Sequence, residues 1–484
     1  MASNIALRGS AALLLALLAA SCANEAAIVD AGHPSVSPTR QPSASLKVDA
    51  SQIQPMYERR MLAVDLPSVV RLAMARNIDI QEAQQRVAAT RGELEANVGR
   101  MFPSISPNMT AIGLSGAVST PAGFVAETFK HVIPYAVAIQ WIINPGQVAY
   151  DIIASKRRLD ASEQQDESVI MEAARTAAVQ YYDLVLTQAQ VAAARQAIKD
   201  AEELLRIDRL HFMTGTGLTV DVQRAQAALA ARQQTFLLAL NAFYNASVAL
   251  TMTLHLDPTV MLVPRAGNMY ATTLVREDLT IDSLLDIALH CRPDLQAIRS
   301  LFAASDADTG STIWGGLGPQ VAATENIAPK APAHLLFDTE YRKQLYQVNA
   351  GFNWSLATFG RIKTAKANSN IAGLEVERHL DQVQSSVVAS QQTALTNKRT
   401  IPFAQQGVTA AEEALRLTQK NLEAGTGLTL DVLTAQDAAD QARLNYASSV
   451  VRYNQAEINL LAALGLLEET NLEPIGRRAM ARRR

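Results

Sequence analysis

Apolar residues recur every seven positions along four stretches of this chain. Ile170, Ala177, Leu184, Val191, Ile198, Leu205 and Phe212 form one run, and Leu380, Val387, Ala394, Ile401, Val408, Leu415 and Leu422 another. A shorter run follows each: Val222, Leu229, Phe236, Phe243 and Leu250, then Val432, Ala439, Tyr446, Tyr453 and Leu460. A period of this kind, held this long, predicts long helices packed as coiled coils. Two ordinary amphipathic hairpins of a soluble bundle are the plainer alternative.

Between each long run and its short partner stands a repeated turn. Gly215–Gln226 reads Gly-Thr-Gly-Leu-Thr-Val-Asp-Val-Gln-Arg-Ala-Gln, and Gly425–Gln436 reads Gly-Thr-Gly-Leu-Thr-Leu-Asp-Val-Leu-Thr-Ala-Gln, 210 residues later. The same offset carries Ala201–Arg206 onto Ala411–Arg416. Two matches at one offset indicate an internal duplication. Glycine suits a tight reversal, and Thr219 and Thr429 are candidate N-caps for the returning helices, with Asp221 and Asp431 in their first turns. A phosphate-cradling loop is excluded, because Val220 and Leu430 stand where a third glycine belongs and helices precede both copies.

The duplication reaches further upstream. Leu66–Phe102 has helical spacing and ends at Pro103, and Ile281–Gly318 is its counterpart, with Pro293 predicting a break near its start. Between Pro103 and Gly146, and again between Pro319 and Gly360, the period falls to two. The clearest strand runs Tyr346–Leu356: Tyr346, Val348, Ala350, Phe352, Trp354 and Leu356 alternate with Gln347, Asn349, Gly351, Asn353 and Ser355. Tyr135, Val137, Ile139 and Trp141 alternate more weakly in the first half. Such strands fit a membrane barrel or one sheet of a soluble sandwich; alternation alone does not separate the two.

Length brings the parts together. Gln147–Met213 and Arg361–Ala424, as helices, reach roughly 100 Å each. The returns Leu218–Thr253 and Leu428–Leu464, and the helices Leu66–Phe102 and Ile281–Gly318, reach roughly half that. Short helices stacked end to end would cover each long one, leaving Leu254–Thr280 and the segment after Leu464 around the middle as an equatorial belt. Four strands per chain leave open edges, which lipid does not tolerate, whereas three chains supply about twelve strands, an even number suited to closure. Pro402 lies inside the second long helix and predicts a kink at or just below the belt.

At the N-terminus, Arg8, the apolar Ala11–Ala20 and the small residues Ala19, Ala20 and Ser21 before Cys22 have the form of an export signal. Cys22 is a candidate for lipidation, with ordinary signal cleavage as the alternative. The Pro- and Ser-rich stretch that follows reads as a tether. The organisation is therefore a signal peptide at 1–21, a lipidated N-terminus and tether at 22–60, a first repeat at 61–254, an equatorial linker at 255–280, a second repeat at 281–464, and an equatorial segment with a basic tail at 465–484.

Composition narrows the chemistry. A net charge of −3 argues against a nucleic-acid binder, and two cysteines supply no disulfide framework. The seven histidines are scattered, and no catalytic, metal or nucleotide motif appears, so neither an enzyme nor a cofactor is expected beyond covalent lipid on Cys22. Cys291 is expected to pack in a helical core.

These features together resemble the TolC-like outer-membrane efflux proteins, most closely their lipoprotein, NodT-like branch. The resemblance rests on the two Gly-Thr-Gly-Leu-Thr tips, the strand ends from Trp141 to Gly146 and from Trp354 to Gly360, and the Phe102-Pro103 break, and it spans Leu66 to Leu464. It implies a mainly α chain with a small β part. As a homotrimer the chain would form a periplasmic α-barrel joined to a twelve-stranded transmembrane β-barrel. It implies a passive outer-membrane duct, lipid-anchored and extending into the periplasm, that exports small molecules with a periplasmic adaptor and an inner-membrane pump. A protein-secretion duct and a lipid-anchored periplasmic coiled-coil scaffold are the rivals. By resemblance, Asp431 belongs to a carboxylate ring at the closed tip, with Asp221 lining or flanking the aperture. Thr434 occupies the place of a second ring, and no carboxylate stands there. Gly215, Gly217, Leu218, Gly425, Gly427 and Leu428 would shape tips facing the adaptor. Helix-start stabilisation is the alternative role for both aspartates. Tyr446 and Tyr453 are pore-side candidates that their heptad positions assign to packing.

Overall fold

The computed structural model describes residues 60–120, 123–265, 269–276, 278–327, 344–352 and 354–467. Cys22, the signal segment, the tether up to residue 59 and the Arg477–Arg484 tail lie outside the described residues. The described chain is mainly helical. It opens with a short strand β1 (Met61–Val64) and two helices, α1 (Leu66–Arg76) and α2 (Ile78–Gly99). Strands β2 (Ser104–Thr120) and β3 (Gly123–Ile143) follow, then the long helix α3 (Pro145–Met213) and its return α4 (Thr219–Thr253). After strand β4 (Met261–Pro264) the order recurs as α5 (Ile281–Cys291), α6 (Pro293–Leu317), β5 (Pro319–Ile327), β6 (Gln344–Phe352), α7 (Leu356–Glu423) and α8 (Thr429–Ala463).

The expected single helix Leu66–Phe102 is two helices. Asn77 adopts an extended conformation (φ −65°, ψ 130°), ends α1 and caps α2 by accepting the Asp79 N–H at 2.6 Å. No proline is needed, because an Asn side chain that satisfies the next helix's first amides makes the break favourable. The counterpart break falls at Arg292, before Pro293. There the Asp294 carboxylate takes Arg292 and the His379 ring, tying the break to α7.

The long helices are 69 and 68 residues, roughly 100 Å each. The upper half of α3 packs against α2, where Arg100 pairs with Asp151 at 2.6 Å and Arg91 with Glu163 at 3.2 Å. Its lower half packs against α4, so short helices do cover the long one in succession. The heptad positions do the packing: Ala177, Leu184, Val191 and Leu205 on α3, Val387, Ala394, Leu415 and Leu422 on α7, and Val432, Ala439, Tyr453 and Leu460 on α8 are all buried. Helix α7 runs unbroken through Pro402. The proline lies one turn tipward of Lys398, which with Gln391 and Ala394 flanks Val275 and Arg276 of the belt.

The belt contains strands that the sequence did not announce. β1 and β4 pair in parallel, Met61 opposite Met261 through Val64 opposite Pro264. The Leu262 N–H donates to Ser247 Oγ of α4. On the other side of the belt, buried Glu457 accepts the N–H groups of Leu274 at 2.8 Å and Val275 at 3.0 Å, and Tyr453 and Thr273 hydroxyls meet at 2.8 Å. Tyr453 is therefore a fully buried packing residue that also holds the belt. Cys291 is exposed, contrary to expectation: it is the last residue of α5, and its carbonyl, not its thiol, meets Gly465.

At the end away from the tips, β2, β3, β5 and β6 form one antiparallel sheet in that order. The expected strand Tyr346–Leu356 is shorter. It ends at Phe352, because Ser355 accepts the Ala357 N–H and starts α7 at Leu356. Residues opposite each other in an antiparallel pair share a face. One face therefore carries Ile105, Ile139, Trp141, Val321, Ala323, Tyr346, Val348 and Phe352, with one charge, Glu325, between Ile139 and Tyr346. The other carries Ser104, Ser106, Gln140, Gln320, Thr324, Gln347 and Asn349, together with Ile142 and Ala322. Tyr346, Val348 and Phe352 are each about two-thirds exposed or more (79%, 70% and 66%), so the apolar face is left bare within one chain.

Candidate functional site at the helical tips

The two tips are built alike. Helix α3 closes at Thr214 with Gly215 at φ +77°, and α7 closes at Ala424 with Gly425 at φ +75°. In each, the next threonine N–H returns five residues, Thr216 to the His211 carbonyl and Thr426 to the Asn421 carbonyl, both at 2.9 Å. This is the Schellman closure, whose left-handed residue is glycine because a Cβ there clashes with its own backbone. The second glycine of each tip serves a different end. A Cβ on Gly427 would lie 2.8 Å from the Leu422 nitrogen, and one on Gly217 2.9 Å from the Phe212 nitrogen. Gly215 and Gly425 supply the reversal, while Gly217 and Gly427 let the chain pass close over the helix end.

Thr219 and Thr429 are not the N-caps. Leu218 and Leu428 hold those places, without a side-chain cap, and the threonines are the first helical residues. Leu218 and Leu428 are exposed. Asp431 is exposed and its carboxylate has no ion pair among the described residues. Thr434 shares its face one turn on, with its hydroxyl given to the Asp431 carbonyl at 2.9 Å. Asp221 is less open and faces Arg224 at 3.3 Å. Asp431 and Asp221 thus sit in equivalent first turns, and of the two only Asp221 is held by a cation among the described residues.

A second group of charges, absent from the sequence expectations, ties α3 to α8. Thr429 Oγ donates to buried Asp208 Oδ1 at 2.8 Å. The other carboxylate oxygen, Oδ2, has no hydrogen-bond partner among the described residues. Burial pushes the Asp208 carboxyl above the ordinary range; the Thr429 bond and His211 oppose this, and Asp221 adds to it. Eight residues up α3, Gln436 Nε2 donates to the Asp200 carbonyl at 2.7 Å, and Arg443 reaches the Asp200 carboxylate at 3.0 Å and Glu412 of α7 at 2.9 Å. Arg232 of α4 joins through Asp437 and Asp440. Burial raises the Asp440 carboxyl although both arginines act to lower it. The signal for Asp208 was present: it is the one carboxylate within the apolar run of α3's seam, and the repeat places Thr418 there. Among the described residues no group of His, Cys, Asp and Glu is arranged to hold a metal ion.

Burial distinguishes the two repeats at the same positions. Ala201, Leu204 and Asp208 of α3 are buried against α8, whereas Ala414 and Gly407, equivalent to Leu204 and Ala197 at offset 210, are exposed on α7. Thr429 and Gln436 of α8 are buried, whereas Thr219 and Gln226 of α4 are exposed. One seam is closed inside the chain; at equivalent positions on α7 and α4, Gly407, Ala414, Thr219 and Gln226 are exposed, while Ala411, Thr418, Val222 and Leu229 are half-buried.

The model of the family described as outer membrane efflux protein matches residues 69–254 and 284–466. The chain is 22% identical over 414 residues to nodulation protein T of Rhizobium leguminosarum bv. trifolii, covering 83% of this chain and 85% of that protein. It is 23% identical over 468 residues to the pyoverdine export outer membrane protein OpmQ of Pseudomonas aeruginosa, covering 93% and 94%. Its fold matches the crystal structure of the Campylobacter jejuni CmeC outer membrane channel with a TM-score of 0.71 at 16% identity, over 91% of this chain and 96% of that one.

Proposed function

The chain belongs to the outer membrane efflux protein family and is an outer-membrane efflux duct, and on that premise we propose that three copies close it into a continuous passage. The observation that carries this is the uncovered seam. Helix α7 repeats the surface of α3 that α8 covers, and α4 repeats the surface of α8. Packing α7 of one copy on α4 of the next is a head-to-tail contact, and such contacts make rings when the rotation closes. The sheet follows the same logic. β3 pairs with β5 inside the chain, while β2 and β6 have no further strand beside them among the described residues. Pairing β6 with β2 of the next copy would satisfy the edges and place about twelve strands in lipid. The bare apolar face with Trp141, Tyr346, Val348 and Phe352 would then meet acyl chains, and the Gln and Asn face would line water.

In this reading the helices extend into the periplasm and the tips meet an adaptor that joins the duct to an inner-membrane pump. Leu218 and Leu428, exposed on rigid glycine closures, are the apolar points such a partner would cover. Three Asp431 carboxylates would gather at the axis, repel one another and favour cations there. Asp221, held by Arg224, would flank them. The export of small molecules is favoured by the likeness to a pyoverdine exporter. Acylation of Cys22 would add a lipid anchor, each buried CH₂ contributing about 0.8 kcal/mol.

The test is conductance in a planar bilayer. The reading predicts discrete channel steps, with Asp431→Ala reducing preference for cations. Purified, membrane-inserted protein with no conductance would contradict it.

A further inference from the structure

We infer that the first repeat holds, at the belt, a binding site for the guanidinium group of a small molecule, between the α1–α2 break and the end of α4. The second repeat shows the occupant. Arg292, at the α5–α6 break, gives its Nε and Nη2 to the two Asp294 carboxylate oxygens at 2.9 and 2.5 Å. Its Nη1 reaches Ser386 Oγ of α7 and the carbonyl of Ala463, the last residue of α8, both at 3.2 Å. No basic residue stands in the last turn of α8, so Arg292 is the cation that its negative end receives.

In the first repeat the guanidinium is missing and the rest of the site remains. Asn77 stands in the place of Arg292, with the same extended backbone and the same 3.2 Å bond back to an alanine carbonyl, Ala73 for one and Ala288 for the other. Asp79 corresponds to Asp294, Thr176 to Ser386 and Thr253 to Ala463. The Asn77 side chain stays on its own helix, capping the Asp79 N–H at 2.6 Å. Its loss of length leaves a cavity of about 540 Å³ lined by Asn77, Asp79, Glu172, Thr176, Thr253 and His255 among others, a volume suited to a small molecule. Val169 replaces His379, so the Asp79 carboxylate lacks both partners of its counterpart, and no hydrogen bond or ion pair reaches it among the described residues. Glu172 is already taken by Arg175. The last turn of α4 has no basic residue either, so its negative end is left without a cation of its own helix. The backbone gives a separate sign of the opening. A Cβ on Gly465, after α8, would lie 2.7 Å from the Cys291 carbonyl, so that helix end abuts the break. His255 holds the equivalent left-handed place after α4 at φ +50°, and its side chain fits where Gly465 has no room for one. A carboxylate that takes two parallel N–H bonds, a hydroxyl oxygen and a helix-end carbonyl together match the planar fork of a guanidinium better than the point charge of an ammonium. Bound there, the ligand ties α2 to α4 as Arg292 ties α6 to α8.

Titration calorimetry on the purified full chain in mild detergent tests this, with butylguanidinium chloride as the probe and butylammonium chloride and sodium chloride at equal ionic strength as controls. The expected result is one saturable site per chain with a Kd in roughly the millimolar range. Butylammonium should bind about tenfold more weakly, because it offers no fork to Asp79. Asp79→Asn should weaken the probe about tenfold or more. Asn77→Arg restores the arrangement of the second repeat and should abolish probe binding, the site being filled by the chain itself. The reciprocal Arg292→Asn opens the second site and should raise the stoichiometry from one per chain to two. Heat no greater than that of sodium chloride, equal binding of the two butyl cations, or undiminished binding by Asn77→Arg or Asp79→Asn would overturn the inference. So would a folded Arg292→Asn protein that still takes a single probe, since the two sites would then not be equivalent. A protein that conducts in a bilayer yet binds no probe would overturn this inference and leave the duct reading standing.

Discussion

Glu457 and Leu274 are 183 positions apart in the chain, yet the Leu274 N–H donates to the Glu457 carboxylate at 2.8 Å in a buried site. The same oxygen takes the Val275 N–H at 3.0 Å. A charge-assisted bond from two backbone amides is how an irregular segment can lie against a helix without orphaned donors. Replacing Glu457 by Ala should cost about 3 kcal/mol or more, because two buried amides lose their acceptor at once. Glu457→Gln, which keeps an oxygen in place, should lose less. Thermal unfolding gives the order, and protease nicking within 269–276 should rise for Ala first.

Asp208 supplies a pH dependence whose sign follows from its burial. Its carboxyl is raised above 3.8, so the folded tip holds the proton more tightly than the unfolded chain. The tip's stability should then fall as pH rises from the ordinary carboxylate value through the raised one, and stay lower above it. Asp208→Asn keeps an acceptor for Thr429 and removes the charge. It should flatten that dependence and protect the tip at neutral pH, measured by amide exchange of 200–220 and 420–440. An Asn variant less protected than wild type at neutral pH would count against the burial argument.

The two glycines of a tip should respond differently to alanine. Gly425→Ala must adopt a left-handed conformation and should cost about 1–2 kcal/mol. Gly427→Ala brings a methyl to 2.8 Å from a backbone nitrogen, a contact that a side-chain rotation cannot relieve. It should cost about 1–3 kcal/mol and shift the tip's shape. Stability in denaturant and adaptor binding, compared across both, separate strain from lost docking: only Gly427→Ala should weaken binding by more than its stability loss explains.

The sheet makes a side-specific prediction. Val348→Lys puts a charge on the apolar face and should destabilise the inserted protein by about 2–4 kcal/mol where that face is deepest in lipid. Asn349→Lys, one residue along on the polar face, should be nearly neutral. Membrane extraction and heat resistance in mild detergent distinguish them. Equal effects would mean that the two faces meet similar solvent, as in a soluble sheet.

The helices, the glycine tips and the alternating strands were legible because each follows a local rule: a heptad, a left-handed closure, a two-residue period. What was not legible depended on partners far along the chain. Asn77 breaks a helix with no proline to announce it, by capping the next one. β1 and β4, four residues each and 200 positions apart at Met61 and Met261, are too short for a period to appear. Asp208 is bonded by Thr429, 221 positions along the chain, and no local rule joins the two. Cys291 was assigned to a core from its helix, but the helix ends at that residue and exposes it. Of the candidate aperture, the sequence pointed to Asp431 and Asp221, while the fastening behind them depends on residues up to 243 positions apart, as for Arg443 and Asp200.

The native mass of the detergent-solubilised protein tests the central claim most directly, since the account has the exposed positions of α7 and α4, and the β2 and β6 edges that are unpaired among the described residues, covered by other copies. The account predicts a single species of three chains that withstands dilution, with charge substitutions at Gly407 or Gln226 dispersing it. A stable monomer that remains folded and soluble, with those surfaces exposed to water, would contradict it.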